Sequence, residues 1–271
     1  ILGFEVDTIN SVQLSNHTGY KYWKGQILDA EELGEIFDGL KLNHLQRYTH
    51  LLTGYVGCVS FLGKVLEVVK ELKEKNPDLM YVCDPVMGDN GKMYVPEDLL
   101  PVYRDQLTPL ADIVTPNQFE AELLTGIKIK TRSDVVRAME VLHMRGIPTV
   151  VISSTELGSD NVLVALGSSN KNGKKIQVQL EIPQLPAVFT GTGDLFTALL
   201  LAWMTRTQHD LKVACEKTVN TLQDVLKKTY AHAKEMCGSE DKFNSELLEL
   251  KLIQSREFIE NPTTHIEACI V

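Results

Sequence analysis

The 271 residues are 44% hydrophobic and 23% charged, proportions that exclude a disordered or fibrous chain. With 27 basic and 36 acidic residues the formal charge is −9, which argues against a nucleic-acid surface. The densest apolar run, residues 199–203, falls far short of the ~20 residues a spanning helix needs, so no membrane partner is expected.

In chain order, residues 49–53 read as an apolar strand ending at Gly54. Residues 62–72 then repeat Leu62, Val65, Leu66, Val69 and Leu72 at helical spacing. A short buried strand over 79–83 ends in Asp84, and Ile113-Val114 leads through Thr115-Pro116 into a helix that Gly126 closes. A helix over 133–144 sets Val136, Met139 and His143 on one face, and the β-branched stretch 149–152 follows as a strand. This rhythm predicts an α/β fold with a mostly parallel central sheet and helices on both faces. Residues 162–166 and 176–182, about a polar turn at 168–175, predict an antiparallel edge hairpin. Ala187-Val188-Phe189 reads as a short strand before an apolar helix over 195–203. Helices over 211–236 and 247–253 complete the chain, the first turning Leu211, Cys215, Leu222, Val225 and Leu226 inward. No linker or repeat interrupts residues 1–271, so one domain is expected. Five cysteines without metal-like spacing suit reduced thiols of the cytosol. The start at Ile1, with neither an initiator methionine nor a signal-peptide pattern, points to processing or to a missing upstream segment.

Four polar clusters fall at the carboxyl ends of predicted strands, the rim where an open α/β sheet forms its cleft. Gly191-Thr192-Gly193-Asp194 opens an apolar helix. Glycines there let backbone approach a ligand closely, helix-start N–H groups favour anions, and Asp194 is placed to take a proton from an attacking hydroxyl. Asp84 and Asp89 flank a Pro and a Gly, as a Mg²⁺–phosphate site needs. Thr115, Asn117 and Glu120 open the next helix, and Ser153-Ser154-Thr155 closes the strand after it. Taken singly, each has a bland reading as a helix cap or a solvated turn. Four coincidental caps on one rim make the poorer account, and together the clusters point to phosphoryl transfer from ATP to a small-molecule hydroxyl. The chain has no G-x-x-x-x-G-K-[ST], no protein-kinase signature set, no G-x-G-x-x-G and no H-E-x-x-H, so another scaffold is required. His17 has a bland reading too, as a loop histidine bonded to backbone.

The order D-P-V-x-G-D, T-P-N-x-x-E and G-T-G-D resembles the ribokinase-like superfamily, and within it the pyridoxal kinase family of the vertebrate type. Residues 10–20 (N-S-V-Q-L-S-N-H-T-G-Y), 52–55, 81–89, 93–100, 115–124, 188–203 and 211–222 carry that resemblance. It implies ATP-dependent phosphorylation of the 5′-hydroxymethyl group of pyridoxal, pyridoxine and pyridoxamine by a cytoplasmic homodimer. It further implies Asp194 as general base and Gly191, Thr192 and Gly193 as anion hole. Val12, Thr18 and Tyr55 would line the vitamin pocket together with Asp194. Asn117, Ser153, Ser154, Thr192, Gly193 and Asp84 would meet ATP. Asp84 and Asp89 would serve Mg²⁺ (or Zn²⁺), and Thr115, Glu120 and Ser153 an activating K⁺ or Na⁺.

Three departures set further expectations. Family members carry another strand and a glycine-containing segment with a substrate-gripping serine ahead of the position of Ile1. A sheet without that strand is expected to expose two backbone edges and much apolar surface. The lid at 89–94 is shorter than usual, and Val56-Gly57-Cys58-Val59 replaces a more charged stretch. A non-catalytic relative that binds ligand or partner, and a hydroxymethylpyrimidine kinase-like enzyme, are the alternative readings.

Overall fold

In the computed structural model, which describes residues 1–171, 173–237 and 243–271, a small antiparallel pair precedes the first helix. The pair is β1 (Val12–Leu14) and β2 (Gly25–Ile27). Helix α1 (Ala30–Leu42) starts at Asp29, which accepts from the Glu32 N–H while Glu32 accepts from the Asp29 N–H, a reciprocal capping box. Strand β3 (His50–Thr53), helix α2 (Val59–Lys75) and strand β4 (Met80–Cys83) follow. Of the apolar spacing read in α2, Leu62, Leu66, Val69 and Leu72 are buried. A second hairpin, β5 (Gly88–Asp89) with β6 (Lys92–Met93), occupies the predicted lid. The short helix α3 (Leu99–Val102) continues as one π turn over Tyr103–Leu107.

Strand β7 (Ile113–Val114) leads to α4 (Gln118–Thr125), α5 (Arg132–Met144) and β8 (Thr149–Thr155). The long hairpin β9 (Val162–Lys171) and β10 (Lys174–Pro183) precedes α6 (Thr192–Arg206) and α7 (Leu211–Cys237). Helix α8 (Arg256–Glu260) and strand β11 (Cys269–Ile270) end the fold. Among the described residues, no helix is long and apolar enough to cross a membrane.

The seven-stranded sheet has the order β11-β10-β9-β8-β7-β4-β3. Strands β3, β4, β7 and β8 pair in parallel, and β9, β10 and β11 extend the sheet antiparallel. Side chains alternate across it, as period-two strands require. Tyr81, Cys83, Val114, Val150 and Ile152 join the core beneath α1, α2, α4 and α5. Val82, Ile113 and Val151 join the opposite core with Phe196, Leu200 and Val219 of α6 and α7. Helices on both faces, as predicted, explain why these strands are apolar throughout rather than alternating. The strands are hydrogen-bonded without an internal gap, β3 forming one end of the sheet with Leu52 exposed. The N-terminal segment packs beside that end, where the Phe4 ring meets His50 edge-on at 5.7 Å and Tyr48 donates to Asp7 at 2.9 Å.

Local expectations need correcting in five places. The hairpin strands reach inward to Lys171 and Lys174, through most of the stretch read as a polar turn; Asn172 of that stretch lies outside the described residues. Two of its polar side chains find partners on α5 and on β8, since Ser168 meets His143 Nε2 at 2.8 Å and Thr149 donates to Ser169 at 3.3 Å. Ala187–Phe189 is not a strand: the Ala187 N–H turns back to the Leu185 carbonyl at 2.8 Å, and Val188 is 88% exposed. Residues 247–253 form turns rather than a helix, with the Lys251 N–H given to Thr229 of α7 at 3.1 Å instead of to a helical ladder. In α5 the buried face is Val135, Ala138, Met139 and Leu142, with Val136 and His143 at its flank. In α7 Leu222 and Leu226 are half-buried, while Thr218, Asn220, Thr221 and Gln223 are buried.

Gly126, the predicted helix stop, ends α4 at φ 74° with nothing within 4 Å of where a Cβ would sit. Gly126→Ala thus isolates left-handed backbone strain. It is expected to cost about 1 kcal/mol and lower the melting midpoint by roughly 2–4 °C in thermal denaturation.

Candidate active site

Three of the four polar clusters emerge from adjacent parallel strands at their carboxyl ends. Asp84 follows β4, Thr115 follows β7, and Ser153 and Ser154 sit in the last turns of β8, where its register with β9 shifts. The fourth cluster follows an irregular segment after β10 and starts α6. Gly191 caps that helix at φ 81°, a left-handed conformation that glycine takes without strain, and no side chain occupies the cap. Thr192 and Gly193 form its first turn, so their N–H groups and the helix dipole are directed at the cleft.

Asp194, also in that first turn, faces β3: a Cβ on Gly54 would lie 3.6 Å from its Oδ1. The carboxyl keeps a solvent-accessible face, yet burial of the rest raises its pKa above the ordinary carboxylate range. Tyr55, half turned to solvent, follows Gly54, and its carbonyl accepts from the Ser11 hydroxyl at 2.9 Å, tying β1 to this wall. Val12 and Thr18, expected in the same pocket, lie on β1 and on the loop after it.

Asp84 lies behind the glycine turn, a Gly193 Cβ position being 3.6 Å from its Oδ2. It is 5% exposed, and burial holds its pKa well above the usual range, with the charges of Glu120 and Asp194 adding to the effect. The Thr197 hydroxyl opposes that rise, meeting Asp84 at 3.3 Å and Thr115 Oγ1 at 2.9 Å. Thr197 therefore links two of the predicted clusters, and sequence reasoning missed it. Its signal was visible as the lone polar residue of an apolar helix, three positions after Asp194 and hence on the same face.

Glu120 does more than cap α4. One carboxylate oxygen accepts from the Met87 N–H at 2.9 Å and the Gly88 N–H at 3.4 Å, and the other accepts from the Asn117 N–H at 3.0 Å. Asn117 in turn donates to the Gly88 carbonyl at 2.7 Å, so α4 holds the base of the β5–β6 lid. Burial pushes the Glu120 carboxyl up to about 7, against the lowering effect of those three N–H donors. Asp89 sits at the lid tip, where its oxygens accept from the Asn90 N–H and side-chain amide. Ser153 is tied through its N–H to the Pro116 carbonyl at 3.0 Å, so β8 and the start of α4 share the rim.

The arrangement can hold an anion at the start of α6, with one accessible carboxyl beside it and two buried ones behind. Among the described residues no group of three His, Cys, Asp or Glu side chains forms a cage for a metal. Mg²⁺ on a nucleotide needs only one or two carboxylates, because phosphate oxygens and water complete its shell. Asp84 and Asp89, each repelled by the Glu120 carboxyl that lies near both, fit that demand.

Residues 56–239 match the family described as phosphomethylpyrimidine kinase. Over 283 residues the chain is 50% identical to the pyridoxal kinase of Homo sapiens, covering all of this chain and 91% of that one. It is 48% identical to the pyridoxal kinase of Arabidopsis thaliana, covering 99% and 86%. The fold superposes on the Leishmania donovani pyridoxal kinase in complex with ADP and pyridoxamine with a TM-score of 0.90, at 33% identity and covering 100% and 90% of the two chains.

Proposed function

The chain belongs to the pyridoxal kinase family, and from that membership we infer that it transfers the γ-phosphate of ATP to the 5′-hydroxymethyl group of pyridoxal, pyridoxine and pyridoxamine. One observation carries the inference: an accessible carboxyl of raised pKa sits in the first turn of an uncapped, glycine-opened helix and faces the Tyr55 wall.

Asp194 accepts the proton of the vitamer hydroxyl as that oxygen attacks phosphorus. A raised pKa makes the carboxylate a stronger proton acceptor than an ordinary aspartate. The N–H groups of Gly191, Thr192 and Gly193 stabilise the charge that spreads over the transferred oxygens. Val12, Thr18 and Tyr55 hold the vitamer ring, and Asn117, Ser153, Ser154 and Thr192 hold ATP. Asp84 and Asp89 would hold Mg²⁺, which when bound neutralises phosphate charge. Thr115, Glu120 and Ser153 would serve K⁺ or Na⁺. The unit is one kinase domain, working as a homodimer in the cytoplasm.

The test is formation of pyridoxal 5′-phosphate by the purified protein with ATP, Mg²⁺ and K⁺, followed at the product's aldehyde absorbance. Product at turnover frequencies of ordinary kinases supports the reading. Folded protein that binds pyridoxal but turns nothing over would replace it with the non-catalytic binding reading. A second substrate is favoured by the matched family's description, and competition between pyridoxal and hydroxymethylpyrimidine decides between the two.

A further inference from the structure

The loop that carries Thr18 is held from outside the β1–β2 pair. Within it, the Gly19 N–H donates to His17 Nδ1 at 3.1 Å, and the Tyr20 N–H donates to the His17 carbonyl at 3.2 Å. A Cβ at Gly19 would come 2.9 Å from the His17 ring, so the residue must be glycine for the ring to fold back. Because Nδ1 is the acceptor, the neutral ring carries its proton on Nε2, which points outward as a donor.

That nitrogen lies 3.4 Å from Glu249 Oε1, and the Tyr20 hydroxyl donates to the same oxygen at 3.1 Å. The His17 and Tyr20 rings, 4.7 Å apart, flank it as two sides of one receptor. Glu249 belongs to the turn-rich strap that sequence reasoning took for a helix. The strap is fixed to α7 by the bond from the Lys251 N–H to Thr229. Its next residue, Leu250, lies against the glycine turn, 3.8 Å from a Gly191 Cβ position, while Gly19 lies 3.7 Å from Thr190 Oγ1 on the same basis. Adjacent strap residues therefore touch the vitamin loop and the anion hole.

We propose that Glu249 is a positioning residue that clasps the loop at 16–20 against the glycine turn and so sets the affinity for the vitamer. It touches neither reacting atom. It acts through His17 and Tyr20 on Thr18 between them, and its kinetic consequence rests on the B6-kinase reading above. The contact itself does not.

The test uses the full chain with Glu249→Ala, Glu249→Gln and Tyr20→Phe. Glu249 is half-exposed, so folding is expected to survive and is checked by melting. In Glu249→Ala, amide exchange across residues 15–24 is expected to rise about tenfold. The pyridoxal KM is expected to rise about five-fold. The ATP KM and kcat are expected to stay within about twofold. Glu249→Gln keeps an oxygen for both donors and should restore most of the affinity, whereas Tyr20→Phe should lose part of it. Unchanged loop exchange in a folded Glu249→Ala protein overturns the clasp, as does an ATP KM that shifts as much as the pyridoxal KM. If the parent protein makes no product, the kinase reading fails, and the exchange measurement decides the clasp alone.

Discussion

Asp194→Asn is expected to slow phosphorylation of pyridoxal by about 10²–10⁴-fold, the usual worth of a positioned base. Asparagine preserves the volume and can still sit in the first turn of α6, so the fold and the anion hole are left intact. What disappears is the accessible carboxyl beside Gly54 and the Tyr55 wall. Residual turnover should persist, since the N–H groups of the glycine turn stabilise the transferred phosphoryl without it. The pH profile supplies the second readout. Because burial raises the Asp194 pKa, the parent's kcat/KM should climb with pH as that carboxyl ionises, above the range of an ordinary aspartate. The variant should lack that limb. Turnover within about twofold of the parent, with the limb retained, would remove Asp194 from the role.

The rim was legible from sequence because strand ends and glycine turns leave marks in the chain. Asp84, Thr115 and the Gly191–Asp194 turn each stand directly after or before an apolar run, and parallel pairing of β4, β7 and β8 brings the first two together. The pairing partners were not legible. Thr197 stands out in an apolar helix, but its bonds to Thr115 and Asp84 exist only once α6 packs on the sheet. Helix α1 was overlooked although Asp29 and Glu32 spell its capping box and Leu33, Phe37 and Leu40 recur at helical spacing on its core face. Residues 247–253 carry leucines at helical spacing, yet the Thr229 hydroxyl of α7 takes the Lys251 N–H. Hydrophobic period reports which face is buried, and it is silent on what a neighbouring helix offers in place of the next turn.

Glu120 is where fold and site place opposite demands on one side chain. Glu120→Ala removes the acceptor for three backbone N–H groups, those of Met87, Gly88 and Asn117. Donors left unpaired in a buried place cost about 1–3 kcal/mol each, and losing a buried carboxylate returns part of that. A net destabilisation of about 2–3 kcal/mol, or roughly 5–10 °C in melting midpoint, is expected, together with loosening of the β5–β6 lid. Glu120→Gln asks the complementary question. With its pKa raised from 4.5 to about 7, the folded chain binds a proton that the unfolded chain has already released. The stability this proton supplies is complete below pH 4.5 and is lost as pH rises through about 7. The shift is worth about 3 kcal/mol in all, at 1.36 kcal/mol per unit. Glutamine cannot ionise, so the stability of the parent relative to Glu120→Gln should decline across that window in urea titrations free of Mg²⁺, K⁺ and Na⁺. Asp84 remains in both proteins, but without the Glu120 charge its pKa is raised less in Glu120→Gln, so the decline reports the coupled pair and keeps its sign. A difference that stays constant with pH would mean that Glu120 is open to water in the folded chain. A declining one means that the folded chain tolerates a destabilising carboxylate at the position proposed to serve a cation.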